Sequence, residues 1–513
     1  MRMGVDVGGT NTDAVLMEGK KVVGWFKTPT TPDVTTGITT AMRTVLEQTK
    51  VPADQIKAVM IGTTHFTNAV VERKRLMKTA AIRLGLPATE ALPPMVDWPP
   101  DLRDTIGNHK YLVHGGHEFD GREIAPLDEK EIREVARDIK SKGIRAVAIS
   151  AVFSPVNSSF EERAAEIIQN EIPDVSITLS HQIGRMGLLE RENAAILNAC
   201  LGDLARAIVE SFRKALQELK IAAPFYLSQN DGTLMSAEFA EKYPVLTFAS
   251  GPTNSMRGAA FLSGLKDAIV VDIGGTTSDV GMLLRGFPRE ASVAVNIGGV
   301  RTNFRMPDVY SFGLGGGSII SETPLKIGPQ SVGYELTTKG LVFGGSILTA
   351  TDIAVAGGLA DIGDPSAVKH LDTAFVRAAL DEMQRMVETA VDRMKISAEP
   401  IPLILVGGGV ILVSRKVEGA SEMIKPEHFP VANAIGAAIA QVGGETDRIF
   451  ALATLPRDEA LAQARQEASD KVKAAGADEK TITIVDVEEI PLTYLPSNAV
   501  RIRVKAVGDL AFA

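Results

Sequence analysis

The chain has 513 residues, of which 45% are hydrophobic and 23% charged, so it is long enough for two to four domains of ordinary globular composition. A net charge of −9 at pH 7 argues against nucleic acid as the main partner. The sequence has one cysteine, no leader-like start and no apolar run long enough for a membrane span, which excludes an intramolecular disulfide and predicts a cytoplasmic protein.

The chain begins with a glycine turn between two apolar strands. Residues 6–13 read D-V-G-G-T-N-T-D. Two glycines allow unusual backbone dihedral angles, and successive N–H groups in such a turn form a concave anion site. The acidic residue that ends the first strand, Asp6, is suited to hold hydrated Mg²⁺ beside phosphate oxygens. Taken alone, the motif is equally compatible with a plain hairpin turn.

Residues 1–75 are predicted to form strand, strand, helix, strand and helix, the first part of domain I. The helices are predicted at 34–49 and 65–75, and a buried strand at 56–61. Residues 62–64, between that strand and the second helix, read G-T-T. N–H groups and hydroxyls at such a helix start point at an anion, which makes this a second candidate binding place.

Several residues near this turn and in a later S-G-P segment are predicted to contact the substrate. His65, at the predicted helix start, is a candidate for catalysis or phosphate contact. The candidate substrate contacts are Thr63, Thr64, Asn68, Ser250 and Gly251.

Residues 76–265 are predicted to complete domain I with an inserted βα region. An apolar run at 79–84 precedes an insertion at 87–126 that is rich in Pro, Gly and His and is predicted to be irregular. Its histidines lack regular metal-ligand spacing, so we interpret them as solvated loop residues. The alternating elements predicted after it are helix 128–142, strand 144–151, helix 159–171, strand 175–179 and a long helical stretch at 188–219.

The second half opens with a second copy of the glycine motif. Residues 272–279 read D-I-G-G-T-T-S-D after the predicted strand 268–272. Domain II is predicted to span 266–444. Its further elements are the segment G-L-G-G-G-S at 313–318, helix 374–394, strand 402–406 leading into three glycines, and a small-residue helix at 433–440. A small α+β appendix is predicted at 445–513, with helix 457–475 and strands 481–487 and 499–504.

Two copies in matching places predict two related domains that close on one phosphate chain from opposite sides. Asp272 matches Asp6 as a candidate for catalysis and for holding Mg²⁺. Asp13 and Asp279 end their motifs and either orient a water molecule or only bond the turn. The residues predicted to bind phosphate are Gly8, Gly9, Thr10, Asn11, Gly274, Gly275, Thr276 and Thr277.

Doubled D-x-G-G-T motifs, followed late in the chain by a strand and Gly-Gly-Gly, resemble the actin, Hsp70 and sugar-kinase superfamily. This resemblance implies an α/β fold with two actin-like (ribonuclease H-like) ATPase domains and a cleft between them. Within that superfamily, the sequence motifs are most similar to those of the A-type subunit of the hydantoinase/oxoprolinase family. The matching segments are 6–13, 62–68, 250–252, 272–280 and 313–318. The long forms of that family usually read S-G-P-A-G-G where this chain has S-G-P-T-N-S.

The resemblance also assigns nucleotide contacts. In the superfamily, the late glycines lie against adenosine, and the glycine-rich segment lines the nucleotide site. The residues that match these motifs are Gly315, Gly316, Gly407, Gly408 and Gly409. The implied cofactors are ATP and Mg²⁺.

The family resemblance implies ATP-dependent ring opening of a cyclic amide such as a hydantoin, 5-oxoproline or a lactam. ATP phosphorylates the amide oxygen, and water then attacks the activated carbon. A separate B-type subunit is implied as the partner, and an oligomeric assembly is expected. Three alternatives stay open: a carboxylase subunit similar to acetone and acetophenone carboxylase chains, a small-molecule kinase, and an ATP-driven switch.

Overall fold

The computed structural model describes residues 1–31, 33–291, 294–493 and 498–511. The strands of these residues, in chain order, are β1 (Arg2–Val7), β2 (Asn11–Glu18), β3 (Lys21–Pro29), β4 (Ala58–Thr63), β5 (Thr79–Leu86), β6 (His109–His114), β7 (Ala146–Ala151), β8 (Ser176–Leu179), β9 (Phe225–Ser228), β10 (Thr233–Ser236), β11 (Ala268–Ile273), β12 (Ser278–Leu284), β13 (Phe287–Pro288), β14 (Val295–Ile297), β15 (Val300–Thr302), β16 (Val309–Phe312), β17 (Ser318–Glu322), β18 (Leu325–Ser331), β19 (Ile401–Val406), β20 (Ala420–Ile424), β21 (Gln441–Ala451), β22 (Thr483–Pro491) and β23 (Ala499–Gly508).

The helices alternate with these strands, as expected for an α/β chain. They are α1 (Val34–Thr49), α2 (His65–Glu72), α3 (Pro100–Ile106), α4 (Glu129–Ser141), α5 (Ser159–Glu171), α6 (Leu188–Cys200), α7 (Gly202–Glu218), α8 (Ala237–Lys242), α9 (Ser250–Ser263), α10 (Leu336–Lys339), α11 (Ala350–Ala356), α12 (Thr373–Met394), α13 (Ala432–Ala438) and α14 (Arg457–Ala474). Across the described ranges, no helix is both long and apolar enough to cross a membrane.

The largest sheet has the strand order β22-β23-β21-β10-β9-β4-β1-β2-β3. In it, β1 runs antiparallel to β2 and parallel to β4. The segment 445–513 contains the predicted helix and strands, but its strands extend this first sheet, because β21 pairs with β10 and β23 pairs with β21. The C-terminal α+β segment is therefore hydrogen-bonded to the domain that carries the first motif.

The second sheet repeats the same local arrangement. Its order is β13-β12-β11-β19-β20, and β11 runs antiparallel to β12 and parallel to β19. In the first sheet Asp6 stands opposite Asp13, and in the second Asp272 stands opposite Asp279. The repeated sequence therefore folds into two strand pairs with the same register.

Several sequence predictions differ from the structure. Strand β3 was not predicted, because it is an edge strand whose side chains are only partly buried and give no clear alternation. The stretch 188–219 is two helices, broken at Leu201. The break was not predicted, because the helical spacing of apolar residues continues through it. The insertion 87–126 is not wholly irregular, since it contains α3 and β6.

The insertion supplies part of a four-stranded sheet in the order β6-β5-β7-β8. Its His117 is not solvated as predicted, because it is only 2% exposed and packs against Phe160 with ring centroids 4.3 Å apart. In the part of the chain that the structure describes, no group of three or more His, Cys, Asp or Glu side chains is placed to hold a metal ion. The insertion therefore carries no histidine metal site in those residues.

Helices α9 and α13 cross in close contact beside β1. A Cβ atom on Gly258 would lie 1.9 Å from the Ala432 carbonyl oxygen, and one on Gly436 would lie 1.8 Å from the Asn254 carbonyl oxygen. A side chain at either position would collide with backbone rather than with a movable side chain. The two glycines therefore fix the distance between these helices, which both border the glycine motifs.

We expect Gly436→Ala to lower the free energy of unfolding by about 1–3 kcal/mol, because the added methyl group overpacks a backbone contact. The measurement is urea denaturation followed by circular dichroism. Gly202→Ala is the matched control, since its Cβ atom would meet Met77 Sδ at an ordinary 3.5 Å. Equal midpoints for the two variants would contradict the proposed constraint.

Candidate active site

The two glycine motifs meet face to face. Thr10 Oγ1 lies 3.1 Å from Thr276 Oγ1, and these residues occupy the same position in the two copies, 266 residues apart. Each turn closes in the same way: the Gly8 N–H donates to the Asn11 carbonyl at 3.0 Å, and the Gly274 N–H donates to the carbonyl of residue 277 at 2.9 Å. The structure thus brings both predicted phosphate loops to one place.

The acidic residues of the first copy form a buried pair beside this contact. Asp6 is 4% exposed and Asp13 is 1% exposed. The Asn433 side-chain amide donates to Oδ2 of both carboxylates at 2.9 Å. Lys27 Nζ lies 2.7 Å from Asp13 Oδ1 and supplies the positive charge. Asp13 is therefore the ion-paired member, whereas Asp6 has only the amide as partner.

Burial makes the Asp6 carboxyl a weaker acid than usual. Loss of solvent, with smaller repulsion from Asp13 and Asp272, raises the pKa of the Asp6 carboxyl to about 7. The influence of Asp272 on Asp6 shows that the acidic groups of both copies are within electrostatic reach. Such a carboxyl ionises fully at neutral pH only when a cation comes close.

The second copy holds its acids with hydroxyl groups. Burial raises the pKa of Asp272, and the Ser255 hydroxyl, which donates to Asp272 Oδ2 at 2.5 Å, partly opposes that rise. Burial also raises the pKa of Asp279 to about 6, against a hydrogen bond donated by Ser311. Asp279 thus accepts a hydrogen bond from the neighbouring strand β16.

A glycine lies against each of the two metal-candidate carboxylates. A Cβ atom on Gly62 would lie 2.3 Å from Asp6 Oδ1, and one on Gly407 would lie 2.3 Å from Asp272 Oδ1. Gly62 is the penultimate residue of β4 and Gly407 follows β19, and these strands are the parallel neighbours of the two motif strands. A side chain at either position would displace the carboxylate beside it. Gly407 is therefore required in the second half for the same reason as Gly62 in the first.

The predicted nucleotide-binding glycines surround the second phosphate loop. The Gly316 N–H donates to the Gly274 carbonyl at 3.0 Å. A Cβ atom on Gly315 would lie 2.5 Å from the Thr276 nitrogen, and one on Gly409 would lie 2.9 Å from the Gly274 oxygen. These glycines support the loop.

Two glycines of the site have open space instead. No atom lies within 4 Å of a Cβ atom built on Gly9 or on Gly408. Gly9 is in the first phosphate loop, and Gly408 follows strand β19. Of the glycines in these motifs, they are therefore the ones whose surroundings leave room for a ligand.

The predicted substrate residues also lie together. The Ser250 hydroxyl donates to the Thr63 carbonyl at 3.1 Å and accepts from the Thr63 N–H at 3.3 Å. The Thr64 N–H donates to the Val7 carbonyl at 3.3 Å, which joins this segment to the first phosphate motif. Gly251 lies 3.6 Å from Thr64, measured from an ideal Cβ to the threonine methyl. The start of α9 and the end of β4 therefore form one surface next to the phosphate motif.

His65 and Asn68 lie on the first turn of α2. His65 Nδ1 is 2.6 Å from Thr63 Oγ1. Burial, with a smaller contribution from the Arg75 charge, lowers the pKa of His65 to about 4, so the ring is neutral at neutral pH. Asn68 is exposed, and its amide donates to Thr64 Oγ1 at 3.4 Å. His65 is thus placed to accept or donate one hydrogen bond, whereas Asn68 lies at the rim.

Four residues of the site were not predicted from sequence as site residues: Lys27, Asn254, Ser255 and Asn433. Lys27 lies on the unpredicted edge strand. Asn433 stood within a predicted small-residue helix, where a polar side chain among alanines was the available signal. Asn254 and Ser255 stood within the S-G-P-T-N-S segment, where the difference from the usual family sequence was the available signal.

The site's donor set fits a hydrated Mg²⁺ and a phosphate chain. Asp6 Oδ1 is buried and has no hydrogen-bond partner. Mg²⁺ typically uses one or two carboxylates together with water and phosphate oxygens, and Asp6 and Asp272 offer that number. The glycine loops offer backbone N–H groups and threonine hydroxyls for phosphate. Both groups would therefore find suitable partners here.

The raised pKa of Asp6 predicts how stability depends on pH. Because the folded protein binds this proton more tightly than the unfolded chain, the free energy of unfolding falls as pH rises from about 4 to about 7. We expect Asp6→Asn to remove this cost, so that the variant gains about 2–3 kcal/mol over the wild type between pH 5 and pH 8.

The measurement is the urea midpoint at each pH without nucleotide. Asp33→Asn is the control, since Asp33 is an exposed helix cap whose hydrogen bonds lower its pKa, so its contribution does not change in this pH range. A wild-type and Asp6→Asn difference that stays constant with pH would refute the assignment.

Comparison with known proteins places the chain in a family. A sequence profile of the hydantoinase/oxoprolinase N-terminal region matches residues 2–172, and one of the hydantoinase/oxoprolinase family matches residues 191–363. The alpha subunit of caprolactamase from Pseudomonas jessenii is 28% identical over 389 residues, which are 70% of this chain and 55% of that protein. The gamma subunit of acetophenone carboxylase from Aromatoleum aromaticum is 27% identical over 391 residues, which are 68% of this chain and 52% of that protein.

The chain spans about half the length of the curated relatives it matches. The crystal structure of the ATP-dependent caprolactamase from Pseudomonas jessenii superposes with a TM-score of 0.79 at 21% identity, covering 100% of this chain and 88% of that chain. This likeness confirms the predicted α/β fold with two actin-like domains. From the two profile matches, the chain belongs to the hydantoinase/oxoprolinase family.

Proposed function

We propose that the chain is the ATP-binding, A-type subunit of an enzyme that opens a cyclic amide. The observation that carries the proposal is the meeting of two glycine loops, through Thr10 and Thr276, beside the buried carboxyl of Asp6 and the half-buried Asp272. Such loops suit a phosphate chain, and the adjoining β4–α9 surface suits a small acceptor. The names of the relatives support ATP use, since a similar fold is that of an ATP-dependent caprolactamase.

The proposed reaction begins with phosphoryl transfer. The amide oxygen attacks the γ-phosphorus, the bond from that phosphorus to the bridging oxygen breaks, and ADP leaves with the electron pair. Resonance makes a ring amide a poor electrophile, and phosphorylation of its oxygen removes that protection. One water then adds to the carbon, the carbon–nitrogen bond breaks as nitrogen takes a proton, and a second water releases phosphate.

The chain's own residues would position the reactants and stabilise charge, which is the usual logic of phosphoryl transfer. N–H groups of both glycine loops would bind the β- and γ-phosphates. Asp6 and Asp272 would hold Mg²⁺, which neutralises charge on the phosphates when bound. The neutral His65 would contact the substrate near Thr63, where its ring is already oriented.

The partner and assembly follow from the same proposal. We expect a separate B-type subunit to carry the hydrolytic step, within an oligomer of both chain types. The names of the relatives support this, because they are an alpha and a gamma subunit of their enzymes.

A carboxylase subunit is the second candidate function. The observation that favours it is the similarity to the acetophenone carboxylase gamma subunit, at nearly the same identity as to the caprolactamase alpha subunit. A carboxylase would require bicarbonate and a ketone, whereas a ring-opening enzyme would require neither. The two candidates therefore differ in a simple substrate requirement.

We expect Mg²⁺-ATP turnover to ADP by the purified protein to rise when a suitable hydantoin, 5-oxoproline or lactam is added. Asp6→Asn and Asp272→Asn should each lower this turnover at least about 100-fold, because each removes a carboxylate from the proposed Mg²⁺–phosphate site. The measurement is a coupled ADP assay over a panel of ring amides, and of ketones with bicarbonate.

Asp478→Asn, at an exposed helix cap in the C-terminal segment and distant in sequence from both glycine loops, serves as the control with wild-type turnover. Stimulation only by a ketone with bicarbonate would replace the ring-opening proposal with the carboxylase. A stable phosphorylated product would favour a small-molecule kinase. ADP release that is indifferent to every acceptor would favour an ATP-driven switch.

A further inference from the structure

Helix α9 carries three consecutive polar residues, of which the outer two are hydrogen-bonded to different neighbours. The Thr253 hydroxyl donates to the Asn230 carbonyl at 2.8 Å, and the Ser255 hydroxyl donates to Asp272 Oδ2 at 2.5 Å. Asn254, between them, is fully buried, yet neither its Nδ2 nor its Oδ1 has a hydrogen-bond partner among the residues that the structure describes. The two flanking side chains are thus hydrogen-bonded within the fold, whereas the Asn254 side chain is not hydrogen-bonded to any described residue.

Asn254 lies where the first phosphate motif meets the proposed substrate surface. A Cβ atom on Gly62 would lie 2.5 Å from Asn254 Nδ2 and 2.3 Å from Asp6 Oδ1, so both side chains face the same glycine. Asp6 Oδ1 is also buried without a partner. Ser250, which binds the Thr63 backbone, is one helical turn before Asn254 and shares its helix face. The carboxamide therefore stands between the phosphate site and the substrate site.

A buried carboxamide without partners is costly, and natural proteins rarely keep one without a reason. The Asn254 side chain offers both a donor, Nδ2–H, and an acceptor, Oδ1. A ligand that satisfies both must present an acceptor and a donor side by side. A small ring amide does so, because the ring holds its C=O and N–H on the same side. A ketone presents only the acceptor.

We infer that Asn254 recognises the substrate through a pair of hydrogen bonds, and that the substrate is a secondary ring amide rather than a ketone. The inference rests on the proposed function. Nδ2 donates to one lone pair of the substrate oxygen, and the other lone pair remains for the γ-phosphorus. Oδ1 accepts from the ring N–H, which becomes more acidic as the oxygen is phosphorylated, so this hydrogen bond strengthens in the transition state.

Asn254 is fully buried, so contact with a substrate requires the site to open. The Thr10 and Thr276 hydroxyls are 3.1 Å apart, which leaves no room for a phosphate group between them. Nucleotide binding between the loops therefore also requires them to move apart. Because α9 touches β4 through Ser250 and the second motif through Ser255, such a movement changes the space beside the residue between them.

The test compares a secondary lactam that stimulates turnover with its N-methyl derivative, which keeps the carbonyl and lacks the N–H. The wild-type protein should prefer the secondary lactam by about tenfold or more in kcat/KM, the effect of one hydrogen bond in a buried site. Asn254→Ala should lose most of that preference. Asn254→Asp keeps an acceptor for the ring N–H but loses the donor to the substrate oxygen, so it should keep the preference and turn over both lactams more slowly. Calorimetric binding of both lactams with a non-hydrolysable ATP analogue provides a second readout that does not depend on turnover.

Asn193→Ala is the matched control. Asn193 is also buried, but its carboxamide accepts from Trp98 Nε1 at 2.7 Å and donates to the Arg301 carbonyl at 2.9 Å. This variant should lower the Tm and keep the substrate preference, whereas Asn254→Ala, which removes no hydrogen bond, should keep the Tm.

The outcomes separate this inference from the proposed function. Equal use of the secondary and N-methyl lactams by the wild type would overturn the role of Asn254 and leave ring opening in place. An unchanged preference for the secondary lactam in Asn254→Ala would also overturn the role of Asn254. Binding and turnover of ketones alone would overturn both.

Discussion

The site depends on placing two carboxyl groups, the buried Asp6 and the half-buried Asp272, within electrostatic reach of each other. Loss of solvent disfavours the charged form of each, and repulsion from Asp13 adds to this for both, as does repulsion from Asp272 for Asp6. Among the described residues, Lys27 pairs with Asp13, and the Asn433 amide is the side chain that donates to the Asp6 carboxylate. The fold thus carries a free-energy cost that a bound cation would offset, which is the arrangement expected of a magnesium–phosphate site.

Close backbone approach makes this placement possible. The helices α9 and α13 approach each other through Gly258 and Gly436, and Gly4 of β1 lies against the same crossing. Asn433 is on one of these helices and Ser255 on the other, so each helix presents a polar side chain to the acids of one motif copy. The small residues therefore determine where the polar groups of the site can stand.

Much of this arrangement was predictable from sequence, because the motif is local and repeated. The paired strands, the turn between them and the opposition of Asp6 to Asp13 follow from a strand–glycine–strand pattern. The helix α1 was predicted with the bounds that the structure shows. Contacts between distant segments were not predictable, since nothing local to Asn433 indicates that it reaches Asp6 across 427 residues of sequence. The edge strand with Lys27 was missed because partial burial weakens its alternation.

Helix α9 explains why the two parts of the site should act together. Its first residue, Ser250, is hydrogen-bonded to the end of β4, and Ser255 is hydrogen-bonded to the acid of the second motif. A helix is stiff over one and a half turns, so these two contacts cannot change independently. Movement of the second phosphate loop is therefore transmitted to the proposed substrate surface, with Asn254 between the two. A phosphate chain that reorders the loops would in this way also set the position of the group that receives the phosphate.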